Sequence, residues 1–280
     1  MNPPSPTRQD VWNALKKLRE QAPLVHNITN FVVMEVTANA LLAIGASPVM
    51  AHADEEVEEI TGISQAIVLN IGTLSKAWIA SMHKALDAAC EKKIPVVIDP
   101  VGAGASRLRT NTALDFLQKS EKALLRGNAS EILALAGETG GTKGVDSTAS
   151  SGLALDAAKS LARRFHCSVC VSGEMDLVTD GKETFFIHGG SALMPRITGM
   201  GCSASALVGA FAGVCAKESS TFPLIAAMAV MAAAGSEAAK KAEGPGTFLP
   251  IFFDALYKMD REMLEKGVSI SANPQVFSCP

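Results

Sequence analysis

Pro95-Val96-Val97-Ile98-Asp99-Pro100-Val101-Gly102-Ala103-Gly104 opens a segment that passes through a helical run at Thr110–Lys119 and closes on Lys122-Ala123-Leu124-Leu125-Arg126. The two ends are short and apolar, and the first is rich in β-branched residues. Each stops at a polar residue. Strand, helix, strand in this order is the signature of a right-handed βαβ unit and a parallel sheet. The same rhythm extends outward. Ser47–Met50, Ala66–Asn70 and Ser168–Ser172 read as further strands. Phe31–Ile44, Ser75–Glu91, Glu131–Ala136 and Ser151–Phe165 read as helices between them. Met175–Thr179 and Glu183–Ile187, joined by Asp180-Gly181, form an antiparallel hairpin. Gly201–Ala216, Phe222–Lys241 and Thr247–Lys266 close the chain as helices. No repeat or linker divides the sequence. The expectation is one α/β domain over residues 1–280, with a mostly parallel central sheet flanked by helices and short flexible tails at both ends.

Bulk composition narrows the function. Acidic residues outnumber basic ones, 28 to 25, for a net charge of −3. That argues against nucleic acid as a partner, since a phosphate backbone needs a basic surface. Ala206–Ala216 and Pro223–Gly235 are the longest apolar runs, and both fall short of a membrane span. The opening MNPPSPTRQD lacks the apolar stretch of a signal peptide. The expectation is a cytoplasmic protein with reduced thiols. Cys167-Ser168-Val169-Cys170 is a CxxC, but strand alternation sends its two thiols to opposite faces. The five histidines show no HxxxH spacing. Core thiols are therefore the expected reading of this motif.

In open α/β sheets ligands bind beyond the carboxyl ends of the strands. Asn70, Asp99, Arg126-Gly127-Asn128 and Ser172-Gly173-Glu174 stand at such ends. The same residue types also make ordinary turns. Three glycine-rich loops can be compared with nucleotide templates. Gly102-Ala103-Gly104-Ala105-Ser106-Arg107 has Arg where a dinucleotide fingerprint needs its third Gly. Gly137–Gly144 has Thr142-Lys143-Gly144 and follows a helix, so it is not a Walker A loop. Ile197-Thr198-Gly199-Met200-Gly201-Cys202 precedes a small-residue helix. Glycines there let backbone N–H groups approach an anion at a helix N-terminus. A Cys in that position is expected to have a lowered pKa. Residues alone leave this loop open between an anion site and a turn over a buried thiol.

A Gly-x-Gly followed by a reactive residue at a helix start, late in a parallel α/β chain, resembles the ribokinase-like kinases. Those enzymes usually carry Asp where this chain has Cys202. The Cys, together with Val25-His26-Asn27-Ile28-Thr29-Asn30, Ala46–Ala51, Leu69–Leu74, Val97–Ala103 and Arg126–Glu131, resembles the hydroxyethylthiazole kinase family. The resemblance runs from about Leu24 to the final helix. It implies a ribokinase-like fold and a homotrimer with active sites at subunit interfaces. It also implies transfer of the ATP γ-phosphoryl group to a small thiazole alcohol, with Mg²⁺ as cofactor, in thiamine biosynthesis. By the same resemblance Cys202 is the catalytic residue, and Met50, Gly199 and Asn27 line the thiazole site. Arg126 and Ser172 contact ATP. Gly199, Gly201 and Cys202 form an anion hole, and Glu131 with Asp99 organises the metal. Kinases of hydroxymethylpyrimidine or pyridoxal-like alcohols, an ATP-dependent dehydratase and a non-catalytic nucleotide-binding module are the alternatives on the same frame.

Overall fold

The computed structural model describes residues 5–138, 147–215 and 218–272. Thr139–Gly144 of the second glycine-rich loop, Ala216 and Cys279 lie outside them, as do both chain ends. The strands are β1 (Leu24–Ile28), β2 (Ser47–Val49), β3 (Ala66–Asn70), β4 (Val96–Asp99), β5 (Leu124–Asn128), β6 (Ser168–Ser172), β7 (Met175–Thr179), β8 (Thr184–Gly189) and β9 (Val268–Ser271). The helices are α1 (Arg8–Gln21), α2 (Met34–Ile44), α3 (Val57–Ile63), α4 (Lys76–Lys92), α5 (Arg107–Lys119), α6 (Ala129–Ala136), α7 (Ser147–Phe165), α8 (Met200–Val214), α9 (Phe222–Ala239), α10 (Pro245–Lys258) and α11 (Arg261–Gly267).

Among the described residues all nine strands join one sheet, in the order β2-β1-β3-β4-β5-β6-β7-β8-β9. The six strands from β2 to β6 pair in parallel, and β7, β8 and β9 add antiparallel. Because side chains alternate across a strand, the sheet buries two layers. Val25, Val68, Cys170 and Val178 face α1, α2 and α8–α11. Ile67, Ile98, Cys167 and Val169 face the layer of α3–α7. The two CxxC thiols thus lie in opposite layers, both buried. Helix α9 is long and apolar enough to cross a membrane, yet 83% of it is buried inside the protein. It is a core helix.

Most expected elements recur within a few residues, with four additions and one split. Helix α1 lies in the stretch before Leu24, held by a capping box in which Thr7 and Asp10 bond reciprocally. Strands β1 and β9 and helix α3 are also additional. The single helix expected over Thr247–Lys266 divides at Met259-Asp260, where the Asp260 carboxylate accepts from Met263 N at 2.8 Å and starts α11.

Helix α8 packs flat on β1, β3 and β4. Two glycines allow this approach. A Cβ added at Gly209 would lie 3.0 Å from both Val25 Cγ1 and Val68 Cγ2, and one at Gly213 would lie 3.0 Å from Gln65 Cβ. Overfilling a packed core costs about 1–3 kcal/mol. Gly209→Val is therefore expected to lower the melting temperature by roughly 3–10 °C. Unchanged melting by calorimetry would show that α8 is not held this closely.

Candidate active site

The parallel topology lines up the carboxyl ends of six strands. Asn70 of β3 sits in register with Asp99 of β4, and Asn128 of β5 with Ser172 of β6. Helix α8 begins beside this edge. Gly199 is its N-cap at φ 94°, a left-handed conformation that suits glycine. Ser203 N makes the first bond into the helix, to Gly199 O at 2.8 Å. The N–H groups of Met200, Gly201 and Cys202 belong to the first turn, where no intrahelical acceptor exists. The helix starts two residues earlier than Cys202.

A buried polar chain joins this turn to the sheet. Asn30 Nδ2 donates to Cys202 Sγ at 3.6 Å and to Asn70 Oδ1 at 2.9 Å. Asn70 Nδ2 donates to Asp99 Oδ2 at 2.6 Å. Asp99 is fully buried; its other oxygen has no partner in good hydrogen-bond geometry, although the Ser205 hydroxyl lies near enough to favour the charged carboxylate. Burial pushes its carboxyl up to about 6, although the Arg126 guanidinium pulls the other way. Burial, with Asp99 adding to it, also pushes the Cys202 thiol up to about 12, despite the opposing effects of Asn70, Arg126 and Asn30. The lowered pKa expected from the helix terminus is therefore corrected. Desolvation and a neighbouring carboxylate outweigh the helix dipole, whose influence is typically only about 0.3–1 kcal/mol.

Arg126 and Ser172, expected to contact ATP, meet directly. Arg126 Nη2 donates to Ser172 Oγ at 2.6 Å. The guanidinium also lies against the α8 turn, because a Cβ at Gly201 would come within 2.7 Å of Nη1. Arg126 Nε is buried without a hydrogen-bond partner. A cation, a serine hydroxyl and unshared helix amides therefore converge, as anion binding requires.

The Glu131 carboxylate caps a helix, as the Asn128-x-x-Glu131 spacing allows. Oε1 accepts from Gly102 N and Oε2 from Asn128 N, both at 2.9 Å, while Asn128 Oδ1 accepts from Glu131 N at 3.0 Å. This capping box starts α6 and ties the Asp99–Gly102 turn to it. Both oxygens keep a lone pair for water. Among the described residues no three His, Cys, Asp or Glu side chains gather as a full metal cage. Magnesium needs only one or two carboxylates with waters and phosphates. The unpartnered Asp99 oxygen near the clamped Glu131 fits that requirement.

The thiazole-site candidates are more dispersed. Asn27 lies within β1, one residue short of its end, buried with Oδ1 unpartnered while Nδ2 donates to Val25 O at 2.9 Å. Gly199 backs onto Val33 and Val36 at the start of α2. Met50 follows edge strand β2, half-buried. None of these three hydrogen-bonds to the polar chain. Sequence reading gave no role to Asn30 or to Arg109. The latter donates to Gly72 O at 2.6 Å and Val101 O at 2.5 Å, bracing the loops after β3 and β4. A cavity of about 430 Å³ lined by Lys17, Glu183, Cys215 and Glu218, among others, lies at the opposite end of α8.

The family model described as "Hydroxyethylthiazole kinase family" matches residues 15–262. A hydroxyethylthiazole kinase of Nitratidesulfovibrio vulgaris (strain DSM 19637 / Miyazaki F) is 55% identical over 95% of this chain and 98% of its own. One of Oleidesulfovibrio alaskensis is 57% identical over 93% and 97%. The solved structure of a hydroxyethylthiazole kinase protein from Pyrococcus horikoshii OT3 superposes with a TM-score of 0.86 at 41% identity, covering 94% of this chain and 98% of that one. A Staphylococcus aureus pyridoxal kinase in complex with AMP-PCP and pyridoxal, at 15% identity and a TM-score of 0.62 over 89% and 98%, shares the fold alone. With a sheet and helical layers of the ribokinase-like type, the chain belongs to the hydroxyethylthiazole kinase family.

Proposed function

We propose that this protein transfers the γ-phosphoryl group of ATP to the hydroxyl of 4-methyl-5-(2-hydroxyethyl)thiazole, in the salvage of the thiazole for thiamine. The proposal includes a homotrimer with sites at subunit boundaries, working in the cytoplasm. The observation that carries it is Cys202 in the first turn of α8, with Arg126 against the preceding residue and Asn30 on its sulfur. Family membership supplies the substrate class.

Phosphoryl transfer has a loose transition state, so positioning and charge stabilisation dominate. Arg126 and Ser172 hold the triphosphate, and the amides of Met200–Cys202 receive the transferred oxygens. Met50, Gly199 and Asn27 line the thiazole. Asp99, with Glu131 through water, would hold a magnesium ion, which would supply charge neutralisation for the phosphates. The alcohol oxygen forms its bond to γ-phosphorus as the bridging P–O bond breaks. ADP leaves with that electron pair, and the hydroxyl proton passes to the Cys202 thiolate.

Three outcomes are expected. With ATP and Mg²⁺ the protein releases ADP in the presence of the thiazole alcohol, and the product gains the mass of one phosphoryl group. Chelation stops the reaction, and sedimentation gives the mass of three chains. Turnover of a hydroxymethylpyrimidine but not of the thiazole contradicts the substrate, and a fully active monomer contradicts the assembly.

Cys202→Ala lowers kcat by about 10–10³-fold with the KM for ATP nearly unchanged. A thiol pushed up to about 12 gains thiolate tenfold per pH step well below that value. Where chemistry limits, kcat of the parent therefore rises between roughly pH 7 and 9, and the Ala variant is flat over that range. Parallel profiles rule out the thiolate.

Asp99→Asn abolishes most activity yet raises the melting temperature on the order of 5 °C at neutral pH. The amide oxygen of the replacement side chain still accepts from Asn70. The raised carboxyl pKa sets the sign: folded Asp99 binds its proton more tightly than the unfolded chain does, so its ionisation costs stability as pH rises through about 6. The gain is therefore present above about pH 6 and vanishes below about pH 4. Melting curves of the two proteins across this range check it; a gain that grows in acid contradicts the assignment.

A further inference from the structure

The direction of every hydrogen bond in the buried chain is set by two backbone groups. Val32 N lies 3.1 Å from Asn30 Oδ1, and Gly72 N lies 3.0 Å from Asn70 Oδ1. A backbone N–H can only donate, so both amide oxygens are identified. The NH₂ of Asn30 must then face Asn70 Oδ1 and Cys202 Sγ, and the NH₂ of Asn70 must face Asp99 Oδ2. Asn70 Oδ1 accepts twice, filling both lone pairs. The Asn30 amide has no freedom to flip, and the sulfur can only be an acceptor from it.

Space enforces the same arrangement. A Cβ at Gly72 would lie 2.5 Å from Asn30 Nδ2, 2.7 Å from Cγ and 2.8 Å from Cβ. Gly72 thus lies directly against the Asn30 side chain while its N–H orients Asn70. Asn30 is 4% exposed and Asn70 1%, so the bonds run through a poorly solvated region where an oriented donor counts for more than in water. The charged groups acting on the sulfur are Asp99 and Arg126, and the Asn70 amide acts on it alongside Asn30.

We propose that Asn30 is a positioning residue for Cys202: its side-chain amide, locked by Val32 N, Asn70 and Gly72, donates to the sulfur and holds a lone pair free for the substrate hydroxyl. Asn30 acts through Cys202 and takes no proton. The inference rests on the reading of Cys202 as the group that receives the hydroxyl proton.

The test uses Asn30→Asp, which keeps the acceptor for Val32 N and loses the donor, and Asn30→Leu, which loses the donor without adding charge. Each is made in the parent and in Cys202→Ala. Two readouts are taken on protein with an intact thermal transition: kcat, and the rate at which iodoacetamide labels the Cys202 peptide at pH 8, followed by mass spectrometry. Expected are a fall in kcat of about tenfold or more and slower labelling in both variants of the parent, with the KM for ATP within about twofold. In the Cys202→Ala background the same substitutions change kcat less than about twofold, because the interaction partner is gone. An equal loss in both backgrounds, or labelling unchanged in the two variants, overturns the positioning role. Full activity of Cys202→Ala alone instead removes the reading of Cys202, while the labelling still reports whether Asn30 acts on the sulfur.

Discussion

The site depends on one packing constraint: α8 must lie flat on β1, β3 and β4 with its first turn level with their carboxyl ends. That is possible only because Gly209 and Gly213 admit the strands and the neighbouring loop closely, and because α2, α1 and α9 cover the rest of the helix. A helix so nearly enclosed must be apolar almost all round. Its residues from Ser203 to Ala212 are all buried. Polarity is confined to its opening and inner face, where Gly199 and Gly201 expose backbone and Cys202, Ser203 and Ser205 turn inward.

That placement has an electrostatic cost. Asp99 and Cys202 are brought together in a region that disfavours charge on either, and both are pushed toward their neutral forms. The amides of Asn30 and Asn70 offset this only in part, and Arg126 supplies the nearby positive charge. An interior held against its own charge in this way is ready for an anionic ligand with a cation, which restores the balance. Sites that do chemistry commonly give up stability for such an arrangement.

The order of strands and helices through the middle of the chain was legible because each strand is a short apolar run ended by a polar residue. Ala66–Asn70, Ser168–Ser172 and Met175–Thr179 match to the residue. Strand β1 was harder, since His26 and Asn27 interrupt its apolar run; both are buried, and His26 is bonded to Thr61 Oγ1 and Ala51 O. Helix α1 lies in a polar opening; the Thr7-x-x-Asp10 spacing is the sequence sign of its capping box, and the reciprocal bonds form. Residue types at strand ends pointed to Asp99, Arg126 and Ser172. The role of Asn30 was not legible, because it depends on which backbone N–H groups fix two side-chain amides across 40 positions of sequence. Nor was the raised thiol, because spacing along a chain reveals a helix start but not the carboxylate that the fold places beside it.

Phosphoryl transfer is proposed to take place at the first turn of α8. A crystal structure with a non-hydrolysable ATP analogue, Mg²⁺ and the thiazole alcohol tests it most directly. Expected is the γ-phosphate against the amides of Met200–Cys202, with the alcohol oxygen roughly 3–3.5 Å from phosphorus and in reach of Cys202 Sγ. A γ-phosphate bound elsewhere on the sheet edge, or an alcohol whose hydroxyl points away from Cys202, contradicts it.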